Sequence, residues 1–453
     1  MRGNFSPSAS TGSLTSRSAR IGLALLACAI PLALNGCGAV KSAINSSNGS
    51  TSKPNFETTV FVGDSLTAGF QNGSLLDTQQ PHGYASLISQ QANFSIVLPL
   101  IASPGAPAVL KLVSVGPPPV IQQSTGITTG RDNPNVQPTD LAVPGAFLKN
   151  ILTTPPIPNP TVPEDLITTL VLGFPGIAQG NIRTQEQWAV ALKPTTIFIW
   201  AGNNDALVAD SAGKPSAMTS LTDFTSDFTT LMTDLSQQTS AHLVVANIPD
   251  VTLVPYLTPA ATVIANGATQ SGLSAAVVSQ KLGIQAGDKV NATGLAQVTP
   301  ILTGQQVGPI SDSGFLSASE ITQVENNIDA YNAVIQQNAL AAGATLVDIH
   351  ALFGQLAANG ITINGTMANF NFLGGIFSLD GIHPTNTGYA LLANKFIDAI
   401  NADTKTTIPD VDVTAIATAD PLFPPNQAAS AGHAQSIPLT AAQSSHWMLL
   451  PKR

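Results

Sequence analysis

The chain has 453 residues, 43% of them hydrophobic and only 9% charged, and 26 acidic against 17 basic side chains leave a net charge of −9. That length holds enough material for a sizeable core in one or two domains, while the acidic balance argues against nucleic acid and against an anionic membrane surface as electrostatic partners. With two cysteines in all, a disulfide framework is excluded as the source of stability.

Residues 1–20 are polar, with Arg2, Arg17 and Arg20 as their only charges, and residues 21–34 are apolar. The pair reads as the n- and h-regions of an export signal, and the apolar run is short for a membrane span. It ends in Leu34-Asn35-Gly36-Cys37, which resembles the lipobox of bacterial lipoproteins. The resemblance implies cleavage before Cys37 and acylation of that cysteine as a lipid anchor, putting the protein in a bacterial cell envelope, on the outer membrane or periplasmic face. An ordinary secretory signal that carries a cysteine is the alternative. Losing residues 1–36 removes three arginines and shifts the net charge from −9 to about −12. Cys28 lies within the signal, so no disulfide is expected in the mature chain. Residues 37–55, rich in Ser, Asn, Gly and Lys, read as a flexible tether.

Folding is expected from Phe56 to residue 403. Apolar runs at Thr59–Val62, Thr196–Trp200, His242–Asn247 and Thr345–Ile349 predict strands, separated by segments long enough for helices, the pattern of an α/β domain with a parallel sheet. Phe94–Leu98 is a further predicted strand, stopped by Pro99. Helices are predicted at Tyr84–Gln91, Leu221–Leu235, Ala318–Ala341 and Asn386–Ile400, the last with Tyr389, Leu392, Phe396 and Ile400 on one stripe. Between them, 103–140 reads as a long ordered excursion and 153–164 as a proline-rich loop. Residues 252–317 read as a folded insertion with short helices around Ser271–Leu282 and a small antiparallel element. Residues 404–453 are either a disordered tail or an arm that packs its Trp447-Met448-Leu449-Leu450 end on the domain.

Gly63-Asp64-Ser65-Leu66 follows the first strand, and Asp380-Gly381-Ile382-His383 stands far downstream. A strand that delivers a serine into a tight turn, with a distant Asp and His to activate it, is the arrangement expected of a serine hydrolase. Together with Gly145 in Ala142-Val143-Pro144-Gly145-Ala146 and with Gly202-Asn203-Asn204-Asp205, these segments resemble the four ordered signature blocks of the SGNH hydrolases, or GDSL lipases and esterases, over Val60 to about Ile400. The resemblance implies a three-layer α/β/α fold with a flavodoxin-like parallel sheet of about five strands, and ester hydrolysis through an acyl-enzyme. It implies Ser65 as nucleophile, His383 as base, Asp380 as orienting carboxylate, and an oxyanion hole of Ser65 N–H, Gly145 N–H and the Asn204 amide. Pro144 lacks an N–H, so Gly145 must be the donor in its block. Asp64, Gly202 and Asp205 are supporting residues.

The implied partner is a small-molecule or lipid ester, and the Phe, Val and Leu content of the insertions favours a longer acyl chain. A carbohydrate or cell-envelope O-acetyl esterase and a catalytically inactive binding lipoprotein are the alternatives. No cofactor is implied. His82, His242, His350, His383, His433 and His446 form no close pair in a ligand frame, so no metal is expected. Asp348 and His350, two apart after a strand, are read as a strand-end pair rather than as part of the triad.

Overall fold

The computed structural model describes residues 54–116, 119–126 and 128–431. The expected signal, Cys37, most of the tether and the Trp447–Leu450 end lie outside the described residues.

Strand β1 (Thr59–Gly63) and helix α1 (Tyr84–Ala92) open the fold, and the excursion contains an antiparallel hairpin, β2 (Leu110–Ser114) with β3 (Val120–Gln123). Helices α2 (Leu148–Thr153), α3 (Pro163–Leu172) and α4 (Gln185–Ala191) lead to β4 (Thr196–Trp200), α5 (Asn203–Ala212), α6 (Leu221–Gln238) and β5 (His242–Ala246). The insertion holds β6 (Thr258–Pro259), α7 (Ala260–Ser271), α8 (Ala275–Leu282), β7 (Lys289–Val290), α9 (Ala292–Leu302) and β8 (Phe315–Leu316). The chain returns through α10 (Ala318–Ala341), β9 (Thr345–Val347), α11 (Ile349–Asn359), the hairpin β10 (Ile361–Ile363) and β11 (Thr366–Ala368), α12 (Asn386–Thr404) and α13 (Val413–Ala419).

The central sheet is parallel, in the order β1-β4-β5-β9, with Phe61 opposite Phe198 and Val244 opposite Thr345. Every residue of β1 and β4 is buried. Helices cover both faces, which is why these strands read as continuous apolar runs. On one face Tyr84 of α1 stacks on Phe396 of α12 at 4.5 Å, and both rings meet Trp200 of β4. On the other, Phe224 of α6 stacks on Tyr331 of α10 at 4.0 Å, beside the stripe Phe228, Leu231 and Leu235. The result is a three-layer α/β/α sandwich.

A fifth position exists on the free side of β1, but its occupant differs from expectation. Phe94–Leu98 forms no strand. Its polar groups are taken one by one: Val97 N–H donates to Thr139 Oγ1, and Leu98 O accepts from Asn133 Nδ2. The neighbour of β1 is instead Thr139–Leu141, joined by a single parallel bridge at Phe61 and Asp140, with Phe61 N to Thr139 O and Leu141 N to Phe61 O both at 2.9 Å.

A helix also begins where the sequence reading had a loop. Pro163 starts α3 inside the expected loop, since its fixed φ suits the first turn and Glu164 and Asp165 follow it there. The short helices expected around Ser271–Leu282 are α7 and α8: Gly272, at φ 71°, ends α7, and Ser274 caps α8 by accepting from Val277 N. With β6-β7-β8, helices α7 to α9 enclose a separate apolar cluster around Val263, Val278, Leu282 and Val290. Beyond α12, residues 405–431 pack on the domain. Asp420 accepts from Thr387 N and Thr387 Oγ1 at 2.8 and 2.7 Å, and Phe423 is buried.

Candidate active site

The carboxyl ends of β1, the 139–141 segment and β4 converge where the strand order reverses, the crevice in which open α/β sheets place their ligands. Ser65 stands one residue beyond Asp64 at the end of β1. The turn is closed by Ala68 N to Asp64 O and Phe70 N to Ser65 O, both 3.0 Å. Asp64 braces it: its carboxylate accepts from Leu66 N at 3.1 Å and from Asn203 Nδ2 at 2.9 Å, which ties β1 to the start of α5. Burial pushes the Asp64 carboxyl up to about 6, against the opposing pull of those donors and of His383.

His383 Nε2 lies 2.8 Å from Ser65 Oγ, and its Nδ1 lies 3.1 Å from Asp380 Oδ2. A carboxylate can only accept, so Nδ1 carries the hydrogen and Nε2 is left to accept from the serine hydroxyl. Ser65 and His383 are buried, at 8% and 6% exposure, and the Asp380 side chain is 3% exposed. The Asp380 loop is internally braced: Asp380 Oδ1 accepts from Ile382 N and His383 N at 2.9 and 2.8 Å, and Ser378 N donates to His383 O. Burial is the largest influence on the Asp380 carboxyl and favours its neutral form. The His383 charge, the hydrogen bond to its ring and these two N–H groups together outweigh it, so Asp380 titrates below the ordinary carboxylate range. Phe70 packs against the His383 ring at 4.6 Å.

The turns that carry the expected oxyanion donors are tied to one another. Val143 N donates to Gly63 O at 3.2 Å and sets the Val143–Ala146 turn against the end of β1. Asn204 Nδ2 donates to Ala146 O at 2.9 Å, so the start of α5 holds the same turn from the other side. Among the described residues, Ser65 N and Gly145 N donate to no other group, and the second Asn204 amide hydrogen has no partner. Gly202 precedes α5 at φ 100°, where a Cβ would stand 2.7 Å from the Phe224 ring, so only glycine fits. Asp205 accepts from Leu148 N at 2.8 Å and from Thr219 Oγ1, linking α5 to α2.

Other expected pairs take other roles. Asp348 caps α11 by accepting from Ala351 N at 3.0 Å, and His350 Nδ1 faces Ile248 O at 3.1 Å. Among the described residues, no group of three or more His, Cys, Asp or Glu is placed to hold a metal ion. The sequence reading missed Phe70, Asn72 and Gly73. Asn72 Oδ1 accepts from Leu379 N and Gly73 N donates to Asp380 Oδ2. The Asn-Gly pair between Gln71 and Ser74 was the available signal, since it marks a two-residue turn.

The fold and the Ser65, His383 and Asp380 geometry are those of a serine-type hydrolase. Residues 59–396 match the GDSL-like Lipase/Acylhydrolase family, and the chain belongs to it. It is therefore a carboxylic ester hydrolase. Among solved structures, LAE5, an alpha/beta hydrolase enzyme from the metagenome of Lake Arreo, Spain, is similar at 12% identity. The match covers 78% of this chain and 97% of that one, at a TM-score of 0.35. Axe2, an acetylxylan esterase from Geobacillus stearothermophilus, is similar at 13% identity, covering 76% and 94%, at a TM-score of 0.34. No curated protein matches the sequence.

Proposed function

We propose that Ser65 is the nucleophile of an acyl-ester hydrolase anchored to the cell envelope through Cys37. The supporting observation is the unbroken series of contacts from Ser65 Oγ to His383 Nε2 at 2.8 Å and from His383 Nδ1 to Asp380 Oδ2 at 3.1 Å. In this reading Ser65 Oγ attacks the ester carbonyl while its proton passes to His383 Nε2. Asp380, held ionised by its four donors, stabilises the imidazolium and fixes its tautomer. The tetrahedral oxyanion accepts from Ser65 N, Gly145 N and Asn204 Nδ2. As the C–O bond breaks, His383 returns the proton to the leaving alcohol, and water, deprotonated by the same ring, then releases the acid from Ser65.

The apolar content of the insertions supports a fatty acyl group over acetyl, each buried methylene adding about 0.8 kcal/mol of binding. A panel of p-nitrophenyl esters from acetyl to palmitoyl tests this, with wild type and Ser65→Ala side by side. We expect kcat/KM to rise beyond acetyl, and Ser65→Ala to lose about 10⁴–10⁶-fold in kcat while remaining folded. Activity confined to acetyl esters makes the protein an O-acetyl esterase instead. Organophosphate labelling of a serine other than Ser65 removes the assigned nucleophile.

A further inference from the structure

Six residues after Ser65 the chain makes a tight turn that reaches the Asp380 loop. Gln71 and Ser74 exchange both backbone hydrogen bonds, at 3.1 and 2.9 Å, and the central residues Asn72 and Gly73 have φ of 52° and 67°. Positive φ at both positions is the pattern of a type I′ turn, which Asn-Gly adopts at least cost. The turn makes three contacts with three consecutive residues: Asn72 N donates to Ser378 Oγ at 2.9 Å, Asn72 Oδ1 accepts from Leu379 N at 3.1 Å, and Gly73 N donates to Asp380 Oδ2 at 2.7 Å. Asp380 Oδ2 is the oxygen that also accepts from His383 Nδ1.

We propose that the Asn72-Gly73 turn is a positioning element for ester hydrolysis, fixing the Asp380 carboxylate, and through it the His383 ring, relative to Ser65. This rests on the reading of Ser65, His383 and Asp380 as the triad. The two bonds to Asp380 Oδ1 come from Ile382 and His383, inside the same loop, and move with it. Those from the turn come from the segment that carries Ser65, so they set the loop against the nucleophile. A hydrogen bond to a charged acceptor is among the stronger ones, and the second donor on Oδ2 directs the remaining lone pair at the ring. Small misplacements of such a relay reduce kcat without altering substrate affinity.

The test is a double-mutant cycle on the full chain. Asn72→Gly keeps the positive φ and removes the contact to Leu379, and Ser378→Ala removes the acceptor of Asn72 N. The two together are expected to lower kcat about tenfold with KM within twofold, and in an Asp380→Ala background the same pair is expected to change kcat less than twofold. Ser378→Ala alone leaves the turn backbone intact and is expected to lose about threefold in kcat, again only when Asp380 is present. An equal loss in both backgrounds, or none in either folded variant, overturns the positioning role. Turnover undiminished by Asp380→Ala removes the triad reading beneath it, a distinct result.

Discussion

One substitution can separate the structural bond of Asn204 from its proposed role at the oxyanion. Its side-chain amide donates one hydrogen to Ala146 O at 2.9 Å, and the other faces no partner among the described residues. If that second hydrogen meets the oxyanion, its contribution appears only when charge develops, so removal acts on kcat. Asn204→Ala is predicted to lower kcat about 10²–10³-fold with KM nearly unchanged. A purely structural role predicts a lower melting temperature from the orphaned Ala146 carbonyl with kcat retained. Steady-state kinetics and a thermal melt on one sample distinguish the two. The neighbouring Asn203 is the control, because its amide goes to Asp64 and not toward the serine.

At the scale of the element, the 139–141 segment combines a structural position with a buried acid. Asp140 is 1% exposed, with Oδ1 accepting from Ala142 N at 3.1 Å and Oδ2 without a partner, and burial pushes its carboxyl up to about 8. The folded state therefore binds the proton that an unfolded Asp loses near 4, so this group's contribution to stability falls as pH rises through that window. Asp140→Asn is predicted to flatten the decline of melting temperature between pH 5 and about pH 8. An unchanged slope assigns the decline to other groups.

The same segment shows what the sequence could not convey. Thr139-Asp140-Leu141 has no apolar run, and it joins the sheet by one bridge, so nothing local marks it as an edge. By contrast, β1 and β4 are apolar at every position because both faces are covered, and α10 was legible to the residue because Ser317 and Glu320 form a capping box at its start. The site divides in the same way. Ser65, Asp380 and His383 announce their chemistry by residue type. Gly73 contributes a backbone N–H, and only the long-range meeting of 73 with 380 makes it relevant.

For the whole molecule, the proposed attachment to a membrane rests on Cys37, which lies outside the described residues. Among the described residues no helix is long and apolar enough to cross a bilayer, and the charge of about −12 that cleavage before Cys37 would leave repels an anionic surface. Acylation at Cys37 would supply the attachment instead. The residues from Cys37 to Pro54 are mostly Ser, Asn, Gly and other small or polar types. Attachment through acyl chains is hydrophobic and does not weaken with salt, whereas attachment through charge does. The full chain is therefore predicted to sediment with membranes equally at low and at 1 M salt, and to carry an acylated Cys37 by mass spectrometry. Cys37→Ser is predicted to release it while the protein keeps its kcat on soluble p-nitrophenyl esters. Membrane association stripped by salt, or an exported product with an unmodified Cys37, ends the anchor reading without touching the assignment of the hydrolase.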